Sequence, residues 1–389
     1  MPDLVLLPRT DRRVRLGHAW VFSNEVDVGK SPLSAFGAGE LAVVRDSYGK
    51  TVGKAYVNPG ALICARILTA DAKAEIGRAW WTARLRRAFA LRESIYSTPH
   101  YRAVYGESDG CPGLIVDRYG DVLVAQLNTA GIVKMRDDVL GALQALTGAR
   151  GILVRSAGSV RQIEGIEAFD ETIGEVPEFA EVIEDNARFS APLRAGQKTG
   201  YFYDQRDNRS RLERYVRGKR VLDLYSYIGS WGVRAALFGA ASVVCSDSSA
   251  SALECADANA AQNGVAIETV RGDALEVLES FAAQRRAFDV VIVDPPALIK
   301  RRKDTAAGQK IYERLNRSAL RVLAGSGTLV SCSCSHHLEP AMLQRAILGA
   351  AKDAGRRAQI LEHHAHGPDH PVHPAMPQTE YLKAFFVRA

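Results

Sequence analysis

Nowhere in the 389 residues do about 18 apolar side chains run together, the length a membrane-spanning helix requires. The only apolar run among the first ten residues, Leu4-Val5-Leu6-Leu7, is too short for the core of an export signal. Both observations argue against a membrane or secreted protein, so the chain is expected in the cytoplasm. Cysteine is sparse. Six residues (Cys64, Cys111, Cys245, Cys255, Cys332 and Cys334) in a chain of this length point to reduced thiols rather than a disulfide framework, and leave a thiolate available for chemistry. Internal repeats and low-complexity tracts are missing, and 47% hydrophobic with 24% charged residues is an ordinary globular composition. An excess of acid is also absent: the net charge is +6, and the first 100 residues hold 15 Lys+Arg against 9 Asp+Glu, leaving 35 of each sign in the rest. The whole cationic surplus therefore sits near the N-terminus, where a surface facing a polyanion is expected.

The chain is too long for one typical core and reads as three units. From Leu41 to Leu68, short β-prone runs alternate with turn residues, the pattern of a small antiparallel unit. Ala74 to Ser97 reads as an amphipathic helix. Gly113 to Leu127 reads as a hairpin around Tyr119-Gly120, followed by a helix to about Leu146 and a strand from Ile152 to Arg155. After Tyr201 the rhythm changes to five apolar strands, RVLDLY, SVVCSD, IETVRGD, FDVVIVD and GTLVSCS. Crossover helices are expected between them at Ser230–Gly239, Ser249–Asn263, Ala274–Arg285 and Lys310–Leu323. A helix from Glu339 to Ala354, the run RAQILEH and the run YLKAFFVR complete a count of seven strands. The expected boundaries are 1–72 for the β unit, 73–190 for an α+β middle unit and 191–389 for the α/β unit.

In an open α/β sheet, ligands bind beyond the carboxyl ends of the strands where strand order reverses. Four of the five strands end in an acid: Asp223, Asp247, Asp273 and Asp294. One such Asp is most simply a turn former or helix cap; four in register are harder to explain that way. The first strand leads into YSYIGSWG (Tyr225 to Gly232), which is not GxGxxG, but Gly229 permits close backbone approach just before a helix. Asp247 follows Asp223 by 24 residues, a spacing that suits a carboxylate on the two hydroxyls of a ribose. Gly272-Asp273 could bind an adenine amino group, and Asp294-Pro295-Pro296 ends the fourth strand in a rigid wall. By themselves these residues specify only a nucleoside-type site.

The same residues resemble the motifs of class I S-adenosylmethionine methyltransferases. Nearly the full chain is similar to the bacterial and archaeal family that makes 5-methylcytosine in large-subunit ribosomal RNA and carries an N-terminal PUA domain. The resemblance is carried by HAWVFSNEV (His18 to Val26), VYGESDGCPGLIVDRYGD (Val104 to Asp121), GQKTGYFYDQRDNR (Gly196 to Arg209), DLYSYIGSWG, VDPP, SCS (Ser333 to Ser335) and DHP (Asp369 to Pro371). It implies an RNA-binding PUA unit, a Rossmann-like seven-stranded catalytic domain, S-adenosylmethionine as cofactor and large-subunit ribosomal RNA as partner. A homodimer is compatible with it. It also implies that Lys198, Tyr201, Asp204, Gln205 and Arg206 border the cofactor pocket, together with Asp223, Ser226, Gly229, Asp247, Asp273 and Asp294.

Cytosine C5 accepts a methyl group only after a nucleophile has added at C6, and a cysteine thiolate suits that task. Cys332 and Cys334 share a strand face about 7 Å apart, but only Cys334 lies beyond the apolar run, at the mouth of the sheet. It also aligns with the family's SCS motif and is read as the nucleophile, with Asp294 hydrogen-bonding the base. Cys111 departs from the family pattern and is given no role. Asp294-Pro295-Pro296 contains no second cysteine, so the group that removes the C5 proton stays open. Two alternatives stand: a guanine N7 methyltransferase that needs no thiol, and a catalytically inactive RNA-binding assembly factor. The histidines at 363–366 lack an accompanying acid or thiol cluster, so no metal is expected. Lys300, Arg301, Arg302 and Lys303 form a basic run at the site's mouth that could meet phosphates.

Overall fold

Short β-prone runs in the N-terminal third are separated by turn residues, as at Tyr48-Gly49 and Asn58-Pro59-Gly60. The computed structural model, which describes residues 1–155 and 159–389, joins them in a five-stranded sheet. The strand order is Asp3–Val5, Glu40–Arg45, Thr51–Val57, Ile63–Thr69 and Trp20–Phe22. A second five-stranded sheet runs Glu171–Gly174, Gly151–Arg155, Val122–Leu127, Leu114–Tyr119 and His100–Tyr105. Its hairpin closes where expected, with Tyr119 paired to Val122. The expected helix at 74–97 spans Arg78–Glu93 and buries Trp81, Leu85, Ala88, Phe89 and Arg92. Gly77 in extended conformation sets its start, leaving the preceding residues outside the helix.

The chain divides into two compact units. Residues 1–180, 192–203 and 368–379 form the first, which holds both of these sheets; residues 181–191, 204–367 and 380–389 form the second. Among the described residues no helix is long and apolar enough to cross a membrane.

The second unit is built on seven strands. They are β1 (Arg220–Leu224), β2 (Ser242–Asp247), β3 (Glu268–Arg271), β4 (Phe288–Val293), β5 (Leu323–Ser333), β6 (Gln359–His364) and β7 (Lys383–Arg388), in the order β3-β2-β1-β4-β5-β7-β6. Helices α1 (Ser230–Leu237), α2 (Ala250–Gln262), α3 (Ala274–Ala283), α4 (Thr305–Val322) and α5 (Pro340–Asp353) make the crossovers. β1 to β4 pair in parallel with their neighbours and β4 with β5, whereas β7 runs antiparallel to both β5 and β6. The central strands read as continuous apolar runs because helices cover both faces of a parallel sheet. Order reverses between β1 and β4, and that switch point fixes where a ligand can enter.

Two elements differ from expectation. α4 starts five residues before Lys310, because Gly308, which reads as a loop residue, lets the helix pack against Ile299; a Cβ there would lie 2.2 Å from Ile299 Cγ1. A hairpin of Phe179–Glu184 and Ala187–Pro192, turned at Asp185 with φ +53°, straddles the position taken as a unit boundary.

Candidate active site

The loop from β1 to α1 turns sharply. Tyr225 (φ +60°), Tyr227 (φ +49°) and Gly229 (φ +78°) are all left-handed, a conformation that costs the two tyrosines energy and persists only where surrounding contacts enforce it. Two carboxylates supply those contacts. Asp247, at the end of β2, accepts the Tyr227 N–H at 3.0 Å and the Ser249 N–H at 2.9 Å. Asp223, fully buried in β1, accepts the Gly232 N–H at 3.0 Å, and a Cβ at Gly232 would fall 2.2 Å from Cys245 Sγ. Burial pushes the Asp223 carboxyl well above the ordinary carboxylate range, against the pull of the Gly232 N–H. Asp223 Oδ1, Ser226 Oγ and Ser246 Oγ are buried without a hydrogen-bond partner. Orphaned polar atoms are rare in a folded interior, and three of them around one strand-to-helix turn leave hydrogen-bonding capacity that a polar ligand can use. Asp273 is exposed and caps α3 through the Leu275 N–H at 2.9 Å.

On the other side of the switch point, Asp294 follows β4. Its carboxylate accepts Gln205 Nε2 at 2.9 Å and Trp231 Nε1 at 3.0 Å, and Gln205 is held in turn by Asn208 at 2.8 Å. Desolvation, reinforced by the nearby Asp204 carboxylate, raises Asp294 to about 6 despite these two donors. The Tyr381 hydroxyl donates to Asp204. Cys334 lies just past β5, partly exposed, with Sγ 3.9 Å from the Pro295 carbonyl. Cys332, two residues earlier, is fully buried, and burial drives its thiol well above the ordinary range. The turn carrying Cys334 is clamped by Tyr312 of α4, whose hydroxyl bonds Ser333 Oγ at 2.8 Å and Ser335 Oγ at 3.0 Å. From β7, the Lys383 ammonium donates to the carbonyls of Ser335 and Tyr381 at 2.6 and 2.7 Å.

Residues 160–388 match the model of the S-adenosylmethionine-dependent methyltransferase family, and residues 4–70 match that of a PUA-like domain. The chain is 35% identical over 390 residues to a protein of Cronobacter sakazakii named ribosomal RNA large subunit methyltransferase I, covering 98% of each chain. The protein of that name from Escherichia coli O1:K1 is also 35% identical, over 99% of this chain and 98% of its own. The chain belongs to the ribosomal RNA large subunit methyltransferase I family. The family's fold is also that of a putative methyltransferase crystallised with SAH, at TM-score 0.86 and 20% identity over all of both chains. A putative SAM-dependent methyltransferase from Streptococcus mutans superimposes with TM-score 0.85 at 19% identity, again over all of both chains.

For a large subunit methyltransferase I the methyl donor is S-adenosylmethionine. The β1–α1 loop fits it: orphaned Asp223, Ser226 and Ser246 atoms, a glycine-permitted backbone approach, and the Asp247 and Asp273 carboxylates at adjacent strand ends. The predicted set draws on both units. Asp204, Gln205, Asp223, Ser226, Gly229, Asp247, Asp273, Asp294 and Cys334 belong to the second unit, as does Arg206, but Lys198 and Tyr201 belong to the first. There Lys198 lies over the Phe202 ring at 4.9 Å and Tyr201 packs on Tyr203. Arg206 is drawn toward buried Glu184, on which Arg209 and Arg234 also converge. Lys300 to Lys303 are exposed between Ile299 and α4, with Arg301 paired to Asp304.

Sequence reading missed Trp231, Tyr312 and Lys383. Lys383 had a signal, as the one charged residue within the apolar stretch LKAFFV. The histidines at 363–366 are occupied separately: His363 stacks on Phe385, His364 bonds Glu362 and His366 packs on Tyr381. No cluster among the described residues is arranged to hold a metal ion.

Proposed function

We propose that this chain, acting in the cytoplasm, methylates C5 of a cytosine in large-subunit ribosomal RNA through a covalent bond between Cys334 and C6. The observation that carries the reading is the contrast within β5. One thiol, Cys332, is buried and inert, while Cys334 emerges at the carboxyl end beside the Asp294-Pro295-Pro296 turn. Attack of the Cys334 sulfur on C6 would shift the C5–C6 electron pair toward C5, which then accepts the methyl group. Bound S-adenosylmethionine supplies that methyl group in electrophilic form. Loss of the C5 proton and expulsion of the Cys334 thiolate then restore the ring.

Asp294 suits the base-facing role. With its carboxyl raised to about 6, a fraction is protonated near neutrality and can donate to cytosine N3, taking up charge that sulfur addition pushes onto the ring. Asp223, Ser226, Gly229, Asp247 and Asp273 would hold the donor, with Gln205 bracing Asp294 and the Asp204 carboxylate favouring its protonated form. The PUA-like unit, within the N-terminal hundred residues that carry the cationic surplus, would hold the RNA.

The test is nucleoside mass spectrometry of unmodified large-subunit ribosomal RNA after incubation with S-adenosylmethionine and either wild type or Cys334→Ala. New 5-methylcytidine with wild type alone is expected. Appearance of 7-methylguanosine, or activity surviving the substitution, would overturn the thiol mechanism.

A further inference from the structure

A buried ammonium ordinarily finds a carboxylate, because an uncompensated charge in the interior is costly. Lys383 does not. Its side chain is buried at 4% exposure, its hydrogen bonds go to two carbonyl oxygens, and no carboxylate among the described residues lies within ion-pairing distance of it. Its position is also specific. In the antiparallel ladder between β5 and β7, Lys383 is paired with Ser333, while its Nζ reaches forward to the Ser335 carbonyl. The ammonium is thus anchored at Ser335, the residue after Cys334, while the backbone of Lys383 pairs with Ser333, the residue before it.

We propose that Lys383 is a positioning residue that supplies the positive charge against which the Cys334 thiolate forms. The inference rests on the reading of Cys334 as the nucleophile. The thiol's proton leaves to solvent, and the resulting thiolate–ammonium pair replaces the neutral thiol beside an unpaired cation. The charge balance fits: desolvation lowers the Lys383 ammonium to about 8, and Cys334 is the strongest influence opposing that fall. The other titratable groups facing this cation are few. Glu380 is exposed, His363 sits on β6, Tyr312 comes from α4, and Tyr381 offers its carbonyl. None of them matches Cys334 in being both able to become an anion and flanked by Ser335, whose carbonyl takes the ammonium, and Ser333, whose backbone pairs with that of Lys383.

The experiment measures the pH dependence of iodoacetamide labelling at Cys334 in the folded full-length chain, read on the peptide that carries it. In wild type the labelling rate should be half-maximal below the ordinary thiol value of about 8.5. Lys383→Gln, which keeps an amide donor but no charge, and Lys383→Met, which keeps neither, should both move that midpoint up by about one pH unit and slow labelling about tenfold at pH 7. A purely structural role would be disturbed by Lys383→Met and spared by Lys383→Gln, and that split would overturn the proposal. A wild-type midpoint at or above the ordinary value would overturn it even if neither variant folds. Methylation that survives Cys334→Ala would instead sink the nucleophile reading, leaving the two failures distinguishable.

Discussion

The carboxyl edge of the seven-stranded sheet is built by opposite means on its two sides. On the β1–β2–β3 side, every polar group comes from the end of a strand or the loop just after it, and backbone N–H groups are the partners: Tyr227, Ser249, Gly232 and Leu275 donate to Asp247, Asp223 and Asp273. On the β4–β5–β7 side the partners are side chains from distant segments. Gln205 and Trp231 meet at Asp294, Tyr312 reaches the Cys334 turn from α4, and Lys383 reaches it from β7. The first arrangement makes a rigid cradle from local chain geometry. The second tunes the protonation of a few groups, which needs charges and donors brought from elsewhere.

Three substitutions would sharpen or break this contrast. The largest effect should come from Glu184→Gln. This carboxylate is fully buried, held below its ordinary range by Arg209, Arg206 and Arg234 against the cost of burial, and it ties α1 to the segment carrying Asp204 and Gln205. Neutralising it removes the buried carboxylate on which three guanidinium groups converge, leaving Arg234 its more exposed partner Asp185, and urea unfolding should show a loss of about 3–5 kcal/mol; a loss below about 1 kcal/mol would mean that the cradle does not depend on this anchor. Next, Asp247→Ala removes the acceptor that holds the Tyr227 N–H. Calorimetric titration should show S-adenosylhomocysteine binding weakened about tenfold, with the pH profile of Cys334 labelling unchanged if the two sides are independent.

The smallest effect is a pH dependence at Asp294. Its folded pKa, about 6, lies above the unfolded value near 4. The fold therefore favours the protonated form, and this contribution to stability is complete below pH 4 and lost as the pH rises through 6. Asp294→Asn cannot ionise. Its melting temperature relative to wild type should rise between pH 4 and pH 7, and a constant offset would show that Asp294 titrates normally.

The same asymmetry decides what could be read from the sequence. β1 to β5 and their helices were legible because strands covered on both faces are unbroken apolar runs, each ending in a residue that turns the chain. Asp223 and Asp247 were legible for that reason. Asp273 illustrates the limit, since in the structure it is also an ordinary helix cap. Trp231, Tyr312 and Lys383 lie inside elements whose periodicity is apolar, and only the tertiary pairing gives them polar partners. The hairpin at 179–192 was missed although Phe179–Glu184 alternates in burial, because an Asp185-Asn186 turn is easily taken for a linker. Gly308 was missed in the opposite sense: a residue that usually breaks a helix is here needed for its packing.

The antiparallel insertion of β7 between β5 and β6 has an evolutionary consequence. Six consecutive residue pairs, from Thr328 with Arg388 to Ser333 with Lys383, set the position of one ammonium group. A slip of one residue reverses the face of every side chain and would bring Leu382 or Ala384 opposite Ser333. Descendants of this chain are thus free to vary β7 by conservative exchange, but a single insertion or deletion between Tyr381 and Ala384 would disarm the site while leaving the strand itself intact.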